Sequence, residues 1–409
     1  MISQLLEHLS GQEEELLSLQ RTLVSIPALG PDNGGDGELE KARFLSSYLE
    51  NLGCDELRTI KAPDSRVSCG YRPTLVARIF GTDRSKTLWI IAHTDIVPTG
   101  DLAMWDTDPF ELHRDGDLIM GRGVEDNHQG LVSSLLLARG IRELEMTPPM
   151  NLGLILVADE ETGSRYGLRY VMDEHGDMFS KNDLFLIPDY GVPEGNKIEV
   201  AEKSMLWLKI TVSGRQCHAS TPEEGVNSLV GASAFILALD RLHETFSARD
   251  ELFSPAISTF SPTKKEANVP NINTLPGHDV FYLDCRILPR YDLQVIMEEI
   301  KSIGAEVSAR YGVSMSYETV QQEQAAPATP VDSEIVRRLA AGVEAVYNVP
   351  AAPMGVGGGT VAAVIRRKGL HAAVWATLLG KAHQPNECAS IASTLKDAQV
   401  MGHLLVNEA

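Results

Sequence analysis

The residues best suited to chemistry stand at the ends of three apolar runs. Residues 87–92 run into His93-Thr94-Asp95, residues 152–158 into Asp159-Glu160-Glu161, and residues 184–188 into Asp189. A short apolar run bounded by polar residues reads as a buried strand of a parallel sheet. Ligands of an open α/β sheet sit beyond the carboxyl ends of such strands. One imidazole and several carboxylates from distant parts of the chain would then meet in one place. That is the donor composition of a divalent metal site.

Each residue also has a blander reading. His93 and Asp95 are two apart, so on an extended chain both point the same way. A metal-bound histidine usually gives its other ring N–H to a carboxylate, so the pair can be ligand and partner, or simply a surface His near an Asp. Adjacent carboxylates on extended backbone diverge, so one of Glu160 and Glu161 can hold a metal while the other holds a water and moves its proton. The alternative is a solvated acidic loop. Asp126, in the glycine-bounded turn 121–130, is either a helix N-cap, a role open to Asn127 as well, or a carboxylate bridging two cations. His128 reads as a helix-face residue. His383, in the polar loop 380–387, is a solvated histidine unless a second metal needs a nitrogen ligand.

The elements that must position these residues alternate. Helical spacing covers 3–26, 38–52, 127–143 and 168–174, and strands are expected at 75–80, 88–92, 152–158 and 184–187. That alternation marks an α/β domain. From residue 204 the order changes to strand 205–212, helix 225–245, strands 256–260 and 278–287, helix 293–311 and strand 313–320. This is the β-α-β-β-α-β order of the ferredoxin-like split unit. After the Pro/Gln/Ala stretch 321–330 come helix 332–347, the loop 355–360, helix 361–368, strand 371–377 and helix 389–407. The expectation is one discontinuous α/β domain, 1–203 and 321–409, with a smaller domain inserted at 204–320. A chain of 409 residues is long enough for two cores.

Bulk composition excludes several function classes. A formal net charge of -20 repels phosphates, so neither nucleic acid nor an anionic membrane surface is an expected partner. Hydrophobic content of 43% and charged content of 22% are ordinary for a soluble enzyme. Five scattered cysteines without Cys-x-x-Cys fit free thiols in a reducing compartment. The amino terminus lacks a signal-peptide pattern, and no apolar run reaches the ~18 residues of a membrane span, so a cytoplasmic location is expected.

Taken in order, His93-Thr94-Asp95-Ile96-Val97-Pro98, Gly121-Arg122-Gly123 with Asp126, Asp159-Glu160-Glu161-Thr162-Gly163-Ser164, Pro188-Asp189, and Ala382-His383-Gln384-Pro385-Asn386-Glu387 resemble the motifs of the aminoacylase/carboxypeptidase family of dinuclear zinc hydrolases. That family includes acetylornithine deacetylase, succinyl-diaminopimelate desuccinylase and several di- and tripeptidases. The resemblance spans nearly the whole chain. It implies a zinc-peptidase-like α/β catalytic domain carrying a ferredoxin-like α+β lid and dimerisation domain. It also implies two divalent ions per chain, zinc first, with cobalt or manganese as substitutes. His93 and Asp189 would hold one ion, Glu161 and His383 the other, and Asp126 would bridge them. Asp95 would orient His93, and Glu160 would be the general base and acid.

In the inserted domain, the resemblance makes His218 an oxyanion donor reaching the other subunit of a homodimer. It makes Asn273 and Arg286 substrate contacts, with the nearby Asn268 and Asn271 leaving the register of the Asn open. Arg286 can grip a carboxylate or pair with Asp284. Gly358, Gly359 and Thr360 would meet the substrate carboxylate through backbone N–H groups, or form a plain tight loop. Thr360 stands where a dinucleotide loop needs its third glycine, which disfavours a nicotinamide enzyme. The implied activity is hydrolysis of an N-acyl amino acid or small peptide. A di- or aminopeptidase and a non-catalytic metal-binding protein are the alternatives.

Overall fold

The computed structural model describes residues 2–407; positions 1, 408 and 409 of the domain expected at 1–203 and 321–409 lie outside them. The chain divides into two compact units, residues 1–200, 328–354 and 364–409 in the first and residues 201–327 and 355–363 in the second. Residues 355–363, expected with the discontinuous domain, go with the second unit.

The first unit is built on a mixed eight-stranded sheet in the order Glu56–Pro63, Tyr71–Ile79, Met150–Val157, Asp83–His93, Leu184–Gly191, Ala372–Ala376, Lys197–Glu202, Ala352–Val356. Its centre is parallel: Asp83–His93 pairs in parallel with Met150–Val157 on one side and Leu184–Gly191 on the other. These are the three runs that end in candidate ligands. Met150–Val157 is buried throughout, Asp83–His93 from Thr87 onward, and Leu184–Gly191 through Pro188. Burial on both faces is what lets parallel strands read as unbroken apolar runs. Gly153 pairs opposite Trp89, and a Cβ there would lie 2.2 Å from the indole, so only glycine lets the ring lie across the neighbouring strand.

Helix His128–Glu143 is buried on nearly every side and comes close to the end of Leu184–Gly191. A Cβ at Gly130 would stand 2.5 Å from Pro188. That close approach brings the helix amino terminus beside Asp189.

Several elements differ from expectation, and strands Lys197–Glu202 and Ala352–Val356 are among those that were not expected. The helix expected at 3–26 is two helices, Ile2–Ser10 and Glu13–Val24, separated at Gly11, a weak helix former. Strand Glu56–Pro63 has no counterpart among the expected strands. It is an edge strand, mostly exposed and rich in charge, so it lacks the apolar signal of the central strands.

The second unit carries a four-stranded antiparallel sheet in the order Thr259–Lys265, His278–Ile287, Ser204–Ser213, Ser314–Glu323. Burial alternates along Ser204–Ser213 and His278–Ile287, and the buried side chains pack with helices Ser228–Ala238 and Leu293–Tyr311. The expected ferredoxin-like order is present. The long helix expected at 225–245 is instead Ser228–Ala238 and Arg241–Thr245. Asn227 caps the first of these by accepting the Val230 N–H at 3.2 Å. The strand expected at 256–260 lies at Thr259–Lys265, held by pairing with His278–Ile287 rather than by its own apolar content. All five cysteines are free thiols. Among the described residues no helix is long and apolar enough to cross a membrane.

Candidate metal centre

The ends of the three parallel strands meet as expected. His93 closes its strand and is buried. Its Nε2 lies 2.8 Å from Asp126 Oδ1 and 3.5 Å from Asp189 Oδ1. His383 Nε2 lies 3.0 Å from Asp126 Oδ2 and 3.1 Å from Glu161 Oε2. Asp126 therefore presents one oxygen to each imidazole. The result is two three-residue groups, His93/Asp126/Asp189 and Asp126/Glu161/His383, with the donor atoms of each group within 4.8 Å of one another. Asn127, not Asp126, occupies the N-cap position of the following helix, and it makes no side-chain capping bond. The capping reading of Asp126 is thus excluded by geometry.

Three observations fit these groups to divalent cations. The donors are imidazole nitrogens and carboxylate oxygens, the set that suits zinc and related ions. Glu161 Oε1 is buried and without a hydrogen-bond partner. The centre also demands positive charge. Burial disfavours the His93 cation, yet Asp126, Asp189 and Asp95 outweigh it and raise its pKa well above the ordinary histidine value. Asp126 and Glu161 push His383 up to about 10.

Glu160 belongs to neither ligand group. Burial, then the negative charge of Asp189, raises its pKa well above the usual carboxylate range, with Glu161 and Asp95 adding and His93 opposing. The backbone here is not extended, as the sequence reading had it. It turns: Asp159 has φ +61 and the Gly163 N–H donates to the Glu160 carbonyl at 3.1 Å. The two glutamates therefore sit on a turn rather than on strand backbone.

Asp95 acts differently from the expectation. The His93 Nδ1–H donates to the Asp95 backbone carbonyl at 2.9 Å, while the Asp95 carboxylate stands 3.6 Å away, too far for a hydrogen bond. That carboxylate instead accepts the backbone N–H groups of Glu160 and Glu161 at 3.0 and 3.1 Å. Asp95 thus ties the His93 strand end to the glutamate turn.

Sequence reasoning missed several supporting residues. Asn127 Nδ2 donates to Asp189 Oδ1 at 2.6 Å and to the Pro188 carbonyl at 2.7 Å, which aims the Asp189 carboxylate. The buried Arg72 bonds Glu38 and reaches Asp159, whose carboxylate accepts from the Thr162 hydroxyl and, at 2.9 Å, from the Tyr166 N–H. The Asn127–Asp189, Arg72–Glu38 and Arg72–Asp159 pairs lie far apart in sequence, and a lone Asn or Arg carries no local signal. His128, expected on a helix face, is fully buried against Lys41, with Nε2 2.9 Å from Nζ.

Burial pushes Lys41 down to about 7 against the raising influence of Asp95, Glu38 and Glu387. A lysine depressed in the folded state binds fewer protons there than in the unfolded chain. Its contribution to stability is present above the unfolded value and lost as pH falls through the folded one. The unfolding free energy of wild type minus that of Lys41→Met should therefore grow from pH ~7 to ~10, by on the order of 4 kcal/mol. Urea unfolding of both proteins across that range checks it, and a pH-independent difference would refute the depression of the buried Lys41 amine.

The remaining predicted residues lie in the second unit. His218 sits in a two-stranded ladder pairing Cys217–His218 with Thr274–Leu275. Its Nδ1 accepts the Ser220 N–H at 3.1 Å. The Asn273 carbonyl accepts the Ala219 N–H at 2.9 Å, so the His218 and Asn273 segments are neighbours, and the Asn273 side chain is bonded by Asn271. Arg286 forms the ion pair with Asp284, through Nε at 2.8 Å and Nη2 at 3.1 Å, and Nη1 donates to the Gly357 carbonyl at 3.0 Å. The Thr360 hydroxyl donates to Glu202 at 2.6 Å. Cβ atoms built at Gly358 and Gly359 meet nothing closer than 3.7 Å, so close packing does not require glycine at either position.

Known proteins resemble this chain along most of its length. The profile of peptidase family M20/M25/M40 matches residues 89–407. An uncharacterized metallohydrolase of Methanococcus maripaludis is 40% identical over 411 residues, covering 95% of this chain and 97% of the relative. A succinyl-diaminopimelate desuccinylase of a Nitratiruptor species is 24% identical over 377 residues, covering 91% and 94%. The solved structure of human carnosine dipeptidase 1 superposes with a TM-score of 0.75 at 15% identity, over 99% of this chain and 98% of that one, a likeness of fold. Matched along most of its length by the family profile, and nearly end to end by a metallohydrolase, this chain belongs to peptidase family M20/M25/M40 and is a metallohydrolase.

Proposed function

We propose that this metallohydrolase cleaves the amide bond of an N-acyl amino acid or small peptide bearing a free carboxylate. The observation that carries the reading is Asp126 shared between two histidine-carboxylate groups, with Glu160 beside them and outside both. His93, Asp126 and Asp189 would hold one divalent ion, and Asp126, Glu161 and His383 the other, zinc first, with cobalt or manganese as substitutes. Bound there, paired cations make water more acidic and polarise a carbonyl.

Glu160 takes the proton of the attacking water on its carboxylate and returns it to the nitrogen of the leaving amine. Its burial, which raises its proton affinity, suits a group that must both accept and release a proton. Asp95 holds the turn that aims it.

In the second unit, His218 is the oxyanion donor and Arg286 the grip on the substrate carboxylate. Three of the five guanidinium N–H groups are engaged by Asp284 and Gly357, which leaves two N–H groups for a carboxylate. Asn273 and the backbone of Gly358, Gly359 and Thr360 complete the substrate contacts. The chain works as a homodimer in the cytoplasm, a location its free thiols suit, and His218 serves the neighbouring subunit. The desuccinylase relative supports an acyl group as the part removed.

The test is a screen of N-acetyl and N-succinyl amino acids and dipeptides with zinc-loaded protein. Hydrolysis should stop with chelator and return with zinc; a fully loaded protein inert toward all three classes refutes the reading. Sharing of His218 has its own outcome. His218→Ala and Glu160→Ala chains, each inactive alone, should recover activity when mixed into verified heterodimers, and no recovery would confine His218 to its own subunit.

A further inference from the structure

Two ligands of the proposed metal centre come from irregular loops rather than strand ends. Asp126 lies in the turn 121–127, and His383 in the loop 379–387. His383 has φ +62, a conformation that a residue with a Cβ rarely adopts, and its side chain is 55% exposed. Neither sheet pairing nor close packing of its own ring holds it in place.

What joins the two loops is an exchange of carboxylates. Glu125, next to Asp126, reaches into the His383 loop. Its carboxylate accepts the backbone N–H groups of Leu379, Gly380 and Lys381, the last two residues short of His383. Glu387, four residues past His383, reaches the other way. Its Oε1 accepts the N–H groups of Glu125 and Asp126, each at 3.0 Å, and its Oε2 accepts the Gly123 N–H at 3.0 Å and Arg122 Nη1 at 2.6 Å. Both glutamates are fully buried. Buried backbone N–H groups need partners, and here glutamate carboxyl oxygens supply them in place of a strand ladder.

A buried glutamate bonded to loop N–H groups is by itself a structural device. Here the bonds go further, because Glu387 holds the N–H of Asp126 itself and Glu125 holds the backbone leading directly to His383. The separation of the two ligands is set by these bonds, and metal sites require their ligands placed to within about 0.5 Å.

We propose that Glu125 and Glu387 are positioning residues, a reciprocal clamp that sets Asp126 and His383 in register for a shared cation. The inference rests on the reading that Asp126, Glu161 and His383 hold a metal ion. Glu125 acts on the His383 side alone. Loss of its bonds should therefore weaken the ion held by Asp126, Glu161 and His383 while sparing the ion held by His93, Asp126 and Asp189.

The experiment is stepwise Zn2+ titration of metal-free, full-length protein, comparing wild type, His383→Ala and Glu125→Gln. His383→Ala identifies the binding step that belongs to its group by abolishing it. Glu125→Gln keeps the side-chain volume but turns an amide N–H toward backbone donors. It should weaken that same step by about 10- to 100-fold and leave the other within about threefold. If His383→Ala leaves both steps intact, the metal reading fails and the clamp with it. If His383→Ala removes a step that Glu125→Gln does not move, only the clamp fails. Equal weakening of both steps, or a fall in thermal midpoint that abolishes both, would reduce Glu125 to a general structural residue and likewise overturn the proposal.

Discussion

Replacing Glu160 by alanine is expected to lower turnover by on the order of 10³–10⁴-fold while metal content stays near about two ions per chain. Glu160 is absent from both ligand groups, so the substitution removes no donor atom from them. The turn survives as well, because Asp95 holds it through the backbone N–H groups of residues 160 and 161, which alanine retains. Elemental analysis beside steady-state kinetics checks both halves. Turnover within about tenfold of wild type would remove Glu160 from proton transfer, and loss of an ion would make it a ligand instead.

Asp126→Ala is expected to have the opposite signature: bound metal falls from about two ions toward none, and turnover drops to background. The reason is its place in both groups, one oxygen toward each histidine. Asp189→Ala, which removes a member of only one group, should leave about one ion bound, held by Asp126, Glu161 and His383. Metal content after removal of loosely bound ions distinguishes the two variants. If Asp126→Ala retained one tightly bound ion, Asp126 would serve one site only and the shared-carboxylate reading would fall.

Both outcomes depend on features that differ in how legible they were. The strand ends at His93 and Asp189 were readable because a central parallel strand is buried on both faces, which writes an unbroken apolar run into the sequence. The edge strand Glu56–Pro63 went unseen for the same reason in reverse: half-exposed strands carry no such run. Glu160 and Glu161 were legible as residue types but not as geometry, because the turn at Asp159 is held by Arg72 and Glu38 from distant segments. Asp95 illustrates the limit. Its spacing from His93 suggested a carboxylate-imidazole pair, whereas its backbone carbonyl makes that bond and its carboxylate serves the glutamate turn.

What the sequence by itself determined is therefore local and periodic: the α/β alternation, the ferredoxin-like insert, the residue types at the strand ends and the motif order that marks the family. Those properties depend on side-chain periodicity and on neighbours within a few positions. The tertiary structure alone decided which carboxylate faces which imidazole, that residues 355–363 go with the second unit, and that Lys41, His128, Glu125 and Glu387 lie fully buried around the centre. Such pairings join residues up to more than 250 positions apart, as Glu125 and Lys381 show. A hydrogen bond leaves no periodic trace in either partner, so only the folded chain can display it.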